Sequence, residues 1–102
     1  MNKYLISVAI LMSAGMSAPI HAGDAAAGAK VYSQRACIGC HGAQGKKPIA
    51  DYPAVGGKPA DFIKAELIKF RSGERQNPVM APMAAGLSDA DIDNVAAYLA
   101  AQ

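Results

Sequence analysis

Two cysteines and a histidine within five residues, Cys37-Ile38-Gly39-Cys40-His41, constrain this chain more than any other feature, and the sequence holds no further cysteine. The Cys-x-x-Cys-His spacing is that of covalent c-type haem attachment. Two thiols three residues apart on a tight turn reach the two vinyl groups on one haem edge, and the next residue turns its imidazole under the porphyrin. One covalent haem c is therefore expected, with Cys37 and Cys40 as thioethers and His41 on the iron. Three rival readings use the same residues. A thioredoxin-like couple belongs at the start of a helix in a βαβ setting, and no strand pattern accompanies it here. A structural zinc site needs four ligands; only Cys37, Cys40 and His41 are at hand, too cramped for all three to bind. A plain disulfide would close too short a loop to stiffen the unfolded chain and would leave His41 without a role.

The chain has 102 residues and is 52% hydrophobic, the size of one compact domain. Part of that apolar content is expected to leave it. Met1-Asn2-Lys3 is positive, an apolar run follows to Met16, and the segment ending Ile20-His21-Ala22 closes on a small residue, the pattern of a secretory signal. The run is shorter than the roughly 20 residues that span a bilayer. Residues 1–22 are read as a cleaved leader and 23–102 as the working domain, placed in the periplasm without membrane insertion. His21 falls in the discarded part. The remainder is rich in Ala and Gly and lacks Trp. A domain of this size buries only about 60% of its unfolded surface, so a covalently held macrocycle would complete its core. The formal charge of +2 gives no argument for nucleic acid.

The residue pattern predicts an all-α domain of three main helices joined by irregular loops. The first runs from an Asp24 cap toward Arg35, through Ala-rich sequence of high helix propensity. The second begins near Pro59 and ends at Gly73, with Phe62, Ile63, Leu67 and Phe70 forming a core-facing stripe. The third starts at a Ser88 cap, with Ile92, Val95, Ala96 and Leu99 on one face. Its Asp89, Asp91 and Asp93 are read as structural. Two long stretches, 42–58 and 73–87, are expected to be irregular and to wrap a ligand.

The second axial position decides between an electron carrier and a haem protein that binds or transforms a small ligand. Beyond the leader, methionines occur only at Met80 and Met83, both in the second long stretch. Ligation chemistry alone leaves either as the donor, against the ordinary use of Met as an adaptable core filler.

Across 23–102 the chain resembles the small bacterial class I cytochromes c, both the single-haem carriers and one half of the tandem two-haem proteins. The resemblance rests on Gly23-Asp24 with Gly28 and Tyr32, the haem motif, Tyr52-Pro53 followed by Gly56-Gly57, Gly73 with Arg75, and Leu87-Ser88-Asp89 leading to Ala97-Tyr98-Leu99. It implies the class I fold around one haem, with Gly28 and Tyr98 where the first and last helices cross. It also implies His and Met ligands, the Met seven residues before Leu87, which selects Met80 and leaves Met83 as the fallback. A proline after the motif is expected to offer its carbonyl to the ligand imidazole, and Pro48, seven residues after His41, matches that position. Lys58 departs from the family pattern, in which Gln is common after the paired glycines.

With both axial positions filled, the expected function is one-electron transfer between redox partner proteins rather than catalysis, by a monomer or weak dimer. Docking is expected at the exposed haem edge, through a ring formed by Lys46, Lys47, Lys58, Lys64, Lys69, Arg71 and Arg75. One alternative makes the chain the haem-bearing subunit of a periplasmic dehydrogenase. Another is a haem sensor or haem enzyme with an open sixth position.

Overall fold

Asp24 does the work its position ahead of an alanine-rich run requires: its carboxylate accepts from the backbone N–H groups of Ala26 and Ala27 at 2.9 and 3.2 Å. The helix it starts, α1, spans Ala25–Gln34. The computed structural model describes residues 23–102, and the expected leader, 1–22, lies outside the described residues. Four more helices follow: α2 at Cys37–His41, α3 at Ala60–Ser72, α4 at Met80–Ala85 and α5 at Asp89–Ala100, with a short 3₁₀ turn at Ala43–Gly45. Among the described residues every regular element is helical, and no helix is long and apolar enough to cross a membrane.

Helix α5 holds the fold together. Ser88 and Asp91 form a reciprocal capping box, Ser88 Oγ accepting from Asp91 N at 3.0 Å and the Asp91 carboxylate accepting from Ser88 N at 3.1 Å. Ile92, Val95, Ala96 and Leu99 are buried as their spacing predicts. The other two aspartates tie helices together: Asp89 pairs with Arg71 at 2.6 Å and Asp93 with Lys64 at 2.8 Å, both on α3. All three aspartates are thus structural. Helix α1 crosses α5 at Gly28, where a side chain would run into the backbone carbonyl of Asn94 and come within 2.8 Å of Tyr98 Cβ. The expected crossing pair is therefore present, with Asn94 as the closer neighbour.

Helix α3 keeps its predicted limits, from Pro59 to a left-handed Gly73 at φ 82°. Its stripe behaves differently from expectation. Ile63 joins Tyr32, Val95, Ala96 and Leu99 in the core with Leu67 packed against them, whereas Phe62 is 49% exposed; all four stripe residues, Phe70 included, also line a cavity. The second long stretch also departs from prediction, because α4 forms inside it. Asn77 initiates that helix: its side-chain oxygen accepts from Val79 N and Met80 N, each at 2.9 Å. Pro78 and Pro82 fall in or before the first turn, where a missing N–H leaves nothing unpaired. The first stretch is irregular apart from its 3₁₀ turn. Gly45 O accepts from Val55 N and Gly56 N, and Gly57 N donates to Leu99 O at 2.7 Å, so the loop is pinned to the end of α5.

Candidate haem-binding site

Helix α2 is one and a half turns long, which suits its residues. Positions i, i+3 and i+4 share a helical face, so Cys37, Cys40 and His41 project together. The chain reaches this helix through Ala36, which adopts a left-handed φ of 62°. Two further non-glycine residues are left-handed, Gln44 at φ 59° and Ala50 at φ 46°, both in the loop just beyond His41. A non-glycine residue in that region costs about 1–2 kcal/mol, and such conformations gather where the surrounding structure holds a site in place. No disulfide joins the two thiols. Burial pushes the Cys37 thiol up, the opposite of the lowered value that activates a disulfide-exchange cysteine at a helix N-terminus.

His41 is buried, 8% exposed. Its Nδ1 donates to the backbone carbonyl of Pro53 at 2.8 Å, so in the neutral ring Nε2 is the nitrogen left to bind a metal. The expected partner was Pro48, and the structure replaces it with Pro53. The reason is local. Ile49 N donates to Cys40 O at 3.0 Å, and in a trans peptide the carbonyl opposes the N–H, so the Pro48 carbonyl is directed away from α2. The chain then turns back through Tyr52, whose ring centroid lies 6.3 Å from that of His41, and presents Pro53. The Tyr52-Pro53 pair was visible in the sequence, but nothing in its spacing from His41 distinguished it from Pro48.

Cys37, His41 and Met80 line one cavity of about 360 Å³, within the size range of small-molecule sites. Val55, Leu67, Phe70, Leu87, Val95 and Leu99 give it apolar walls, and Glu66, Arg75 and Asn77 supply polar groups on the α3–α4 side. Met83 is half-buried and does not line it. Cys40 follows Cys37 on the same helical face, half-buried. Two thiols on one helical face, a buried imidazole with its proton held on Nδ1, and a largely apolar cavity beside them fit a covalently attached haem.

The expected basic ring is mostly spoken for. Lys64 and Arg71 bind α5, as above, while Lys69 lies 3.9 Å from Glu66 and Arg75 pairs with the same carboxylate. Among the described residues, Lys46, Lys47 and Lys58 have no acidic partner, and Lys58 sits 5.8 Å from the centre of the Phe62 ring.

Comparison with known proteins agrees with this geometry. The cytochrome c family matches residues 25–102. The chain belongs to the cytochrome c family. Cytochrome c-554(548) from Halomonas halodenitrificans is 39% identical over 84 residues, which cover 79% of this chain and 99% of that protein. A thiosulfate dehydrogenase electron acceptor from Stutzerimonas stutzeri is 44% identical over 86 residues, covering 76% of this chain and 40% of its own length. Cytochrome c4 from Pseudomonas aeruginosa is 35% identical over 103 residues, covering 100% of this chain and 49% of its own. The chain thus spans less than half of two of these relatives and nearly the whole of the third. As a cytochrome c domain it holds one covalent haem c through the Cys37, Cys40 and His41 motif, and it is an electron carrier rather than an enzyme.

Proposed function

We propose that the protein is a periplasmic one-electron carrier, matured by loss of residues 1–22, whose haem iron is held between His41 and Met80. The observation that carries this reading is that His41, on α2, and Met80, on α4, line the same cavity while Met83 does not. The haem, when bound, supplies the one-electron couple. The Pro53 carbonyl orients the His41 ring and raises the basicity of Nε2. Met80 adds a neutral thioether, which favours the reduced form relative to harder donors. With His41 and Met80 both donating to the iron, no position would stand open for a substrate or a gas, which favours a carrier over a sensor. Of the expected ring, Lys46, Lys47 and Lys58 have no acidic partner among the described residues and are available to steer an acidic redox partner.

Optical spectra of the purified holoprotein test the ligand set. The oxidised protein shows the weak long-wavelength band of thioether-ligated iron; Met80→Leu abolishes it and Met83→Leu keeps it. Loss of the band in Met83→Leu alone would reverse the assignment, and carbon monoxide binding to the unmodified reduced protein would remove the carrier reading. A second reading takes support from the Stutzerimonas relative, named for its role as acceptor from a dehydrogenase: this chain serves as the haem-bearing subunit of such a complex. In that case the protein elutes at native levels with a larger partner instead of alone.

A further inference from the structure

Helix α4 is held by different means at its two ends. At the C-terminal end, Ala84 is fully buried and Leu87 is 7% exposed. The N-terminal end, which carries Met80, has no buried anchor: Val79 is 40% exposed and Met80 half-buried. What fixes that end is Asn77. Its side-chain oxygen accepts from Val79 N and Met80 N at 2.9 Å each, and its backbone carbonyl accepts from Ala81 N at 3.0 Å. Pro78 and Pro82 have no N–H to offer. Every backbone donor from Pro78 to Pro82 therefore ends on this one residue, which also lines the cavity with His41 and Met80.

We propose that Asn77 is the positioning residue for Met80, setting how readily its thioether yields to a competing ligand. This rests on Met80 being the axial donor. Displacement of Met80 releases the first turn of α4 and with it the Asn77 cap, so the strength of the cap enters the affinity of any competitor. A cap of this type is worth about 1 kcal/mol, or about fivefold in an equilibrium constant.

Imidazole titration of the oxidised holoprotein tests this, followed through loss of the long-wavelength band, with denaturant unfolding measured on the same samples. Asn77→Ala is expected to bind imidazole about fivefold more tightly. Asn77→Asp, which restores a capping oxygen, stays within about twofold of the unaltered protein, since Asp and Asn cap almost equally well. Asp24→Ala removes the cap of α1, far from Met80 in the chain; it lowers global stability and leaves imidazole affinity unchanged. An unchanged affinity in Asn77→Ala, or an equal rise in Asp24→Ala, would overturn the positioning role. If Met80→Leu keeps the band, the ligand reading and this proposal fall together; if it loses the band while Asn77→Ala binds imidazole normally, only the proposal falls.

Discussion

Tyr32 carries its hydroxyl from α1 to the carbonyl of Gly42, the residue that follows His41, while its ring is 2% exposed in the core. Burial pushes its pKa up from 10.0, because the phenolate would be charged in an apolar setting and could not donate to Gly42. A group whose folded value is raised contributes stability that is fully present below its unfolded value and lost as pH climbs through the folded one. Tyr32→Phe is therefore expected to destabilise the holoprotein by about 1 kcal/mol near neutrality, a deficit that narrows above about pH 10 as the unaltered protein weakens. Lys64, raised by its bond to Asp93, also loses stability in that range, but it does so in both proteins, and the difference between them isolates Tyr32. Denaturant unfolding from pH 7 to pH 11 checks this; a deficit that widens with pH is the contrary result. At this scale the sequence was legible where a residue's chemistry is local. Cys37, Cys40 and His41 declare themselves by spacing, whereas the proline that supports His41 depends on which way a peptide plane faces, and Pro48 and Pro53 look alike until the Ile49 N–H is seen to bind Cys40.

Between elements, the packing of α1 on α5 turns on one close crossing. Gly28 stands at the crossing with Asn94 and Tyr98 against it, and the rings of Tyr32 and Tyr98 meet beside it at 5.4 Å. Gly28→Ala sets two effects in opposition. Helix propensity favours Ala by about 1 kcal/mol, while overpacking costs about 1–3 kcal/mol and more where the obstacle is backbone that cannot rotate away. Backbone is what the new methyl meets first, so the net effect is a loss of about 2 kcal/mol, seen as an earlier denaturation midpoint with an unchanged haem spectrum. An unchanged or later midpoint would mean that the helices separate at little cost. The main helices were readable because Asp24, Pro59, Gly73 and Ser88 mark their ends. Helix α4 was not, although Asn77-Pro78 has the form of a cap followed by a first-turn proline. Its six residues are apolar throughout and too few for a period to show, and its C-terminal end is fixed by tertiary burial of Ala84.

Taken as a whole, the molecule has less protein core than its helix count suggests. Eight hydrophobic side chains are buried among the described residues, five of them in one cluster around Tyr32 and Val95. Val55, Leu67, Phe70 and Met80 also line the cavity, Val55 and Leu67 while packing against that cluster. A small domain with so little interior of its own needs a further staple, and a haem fixed at Cys37 and Cys40 would supply both the missing apolar surface and the tether between α2 and the distant α4. Helices this short are marginal in water without packing, so the two requirements are linked: a chain that cannot attach haem lacks part of its core and the link between α2 and the Met80 end of α4. The Cys37→Ala/Cys40→Ala double variant, purified without haem, is accordingly expected to show little helical circular dichroism and no cooperative thermal transition. Added haem should restore part of the helical signal, since His41 and Met80 remain. Cooperative melting of the haem-free variant close to the holoprotein's midpoint would show that the α1, α3 and α5 contacts suffice alone.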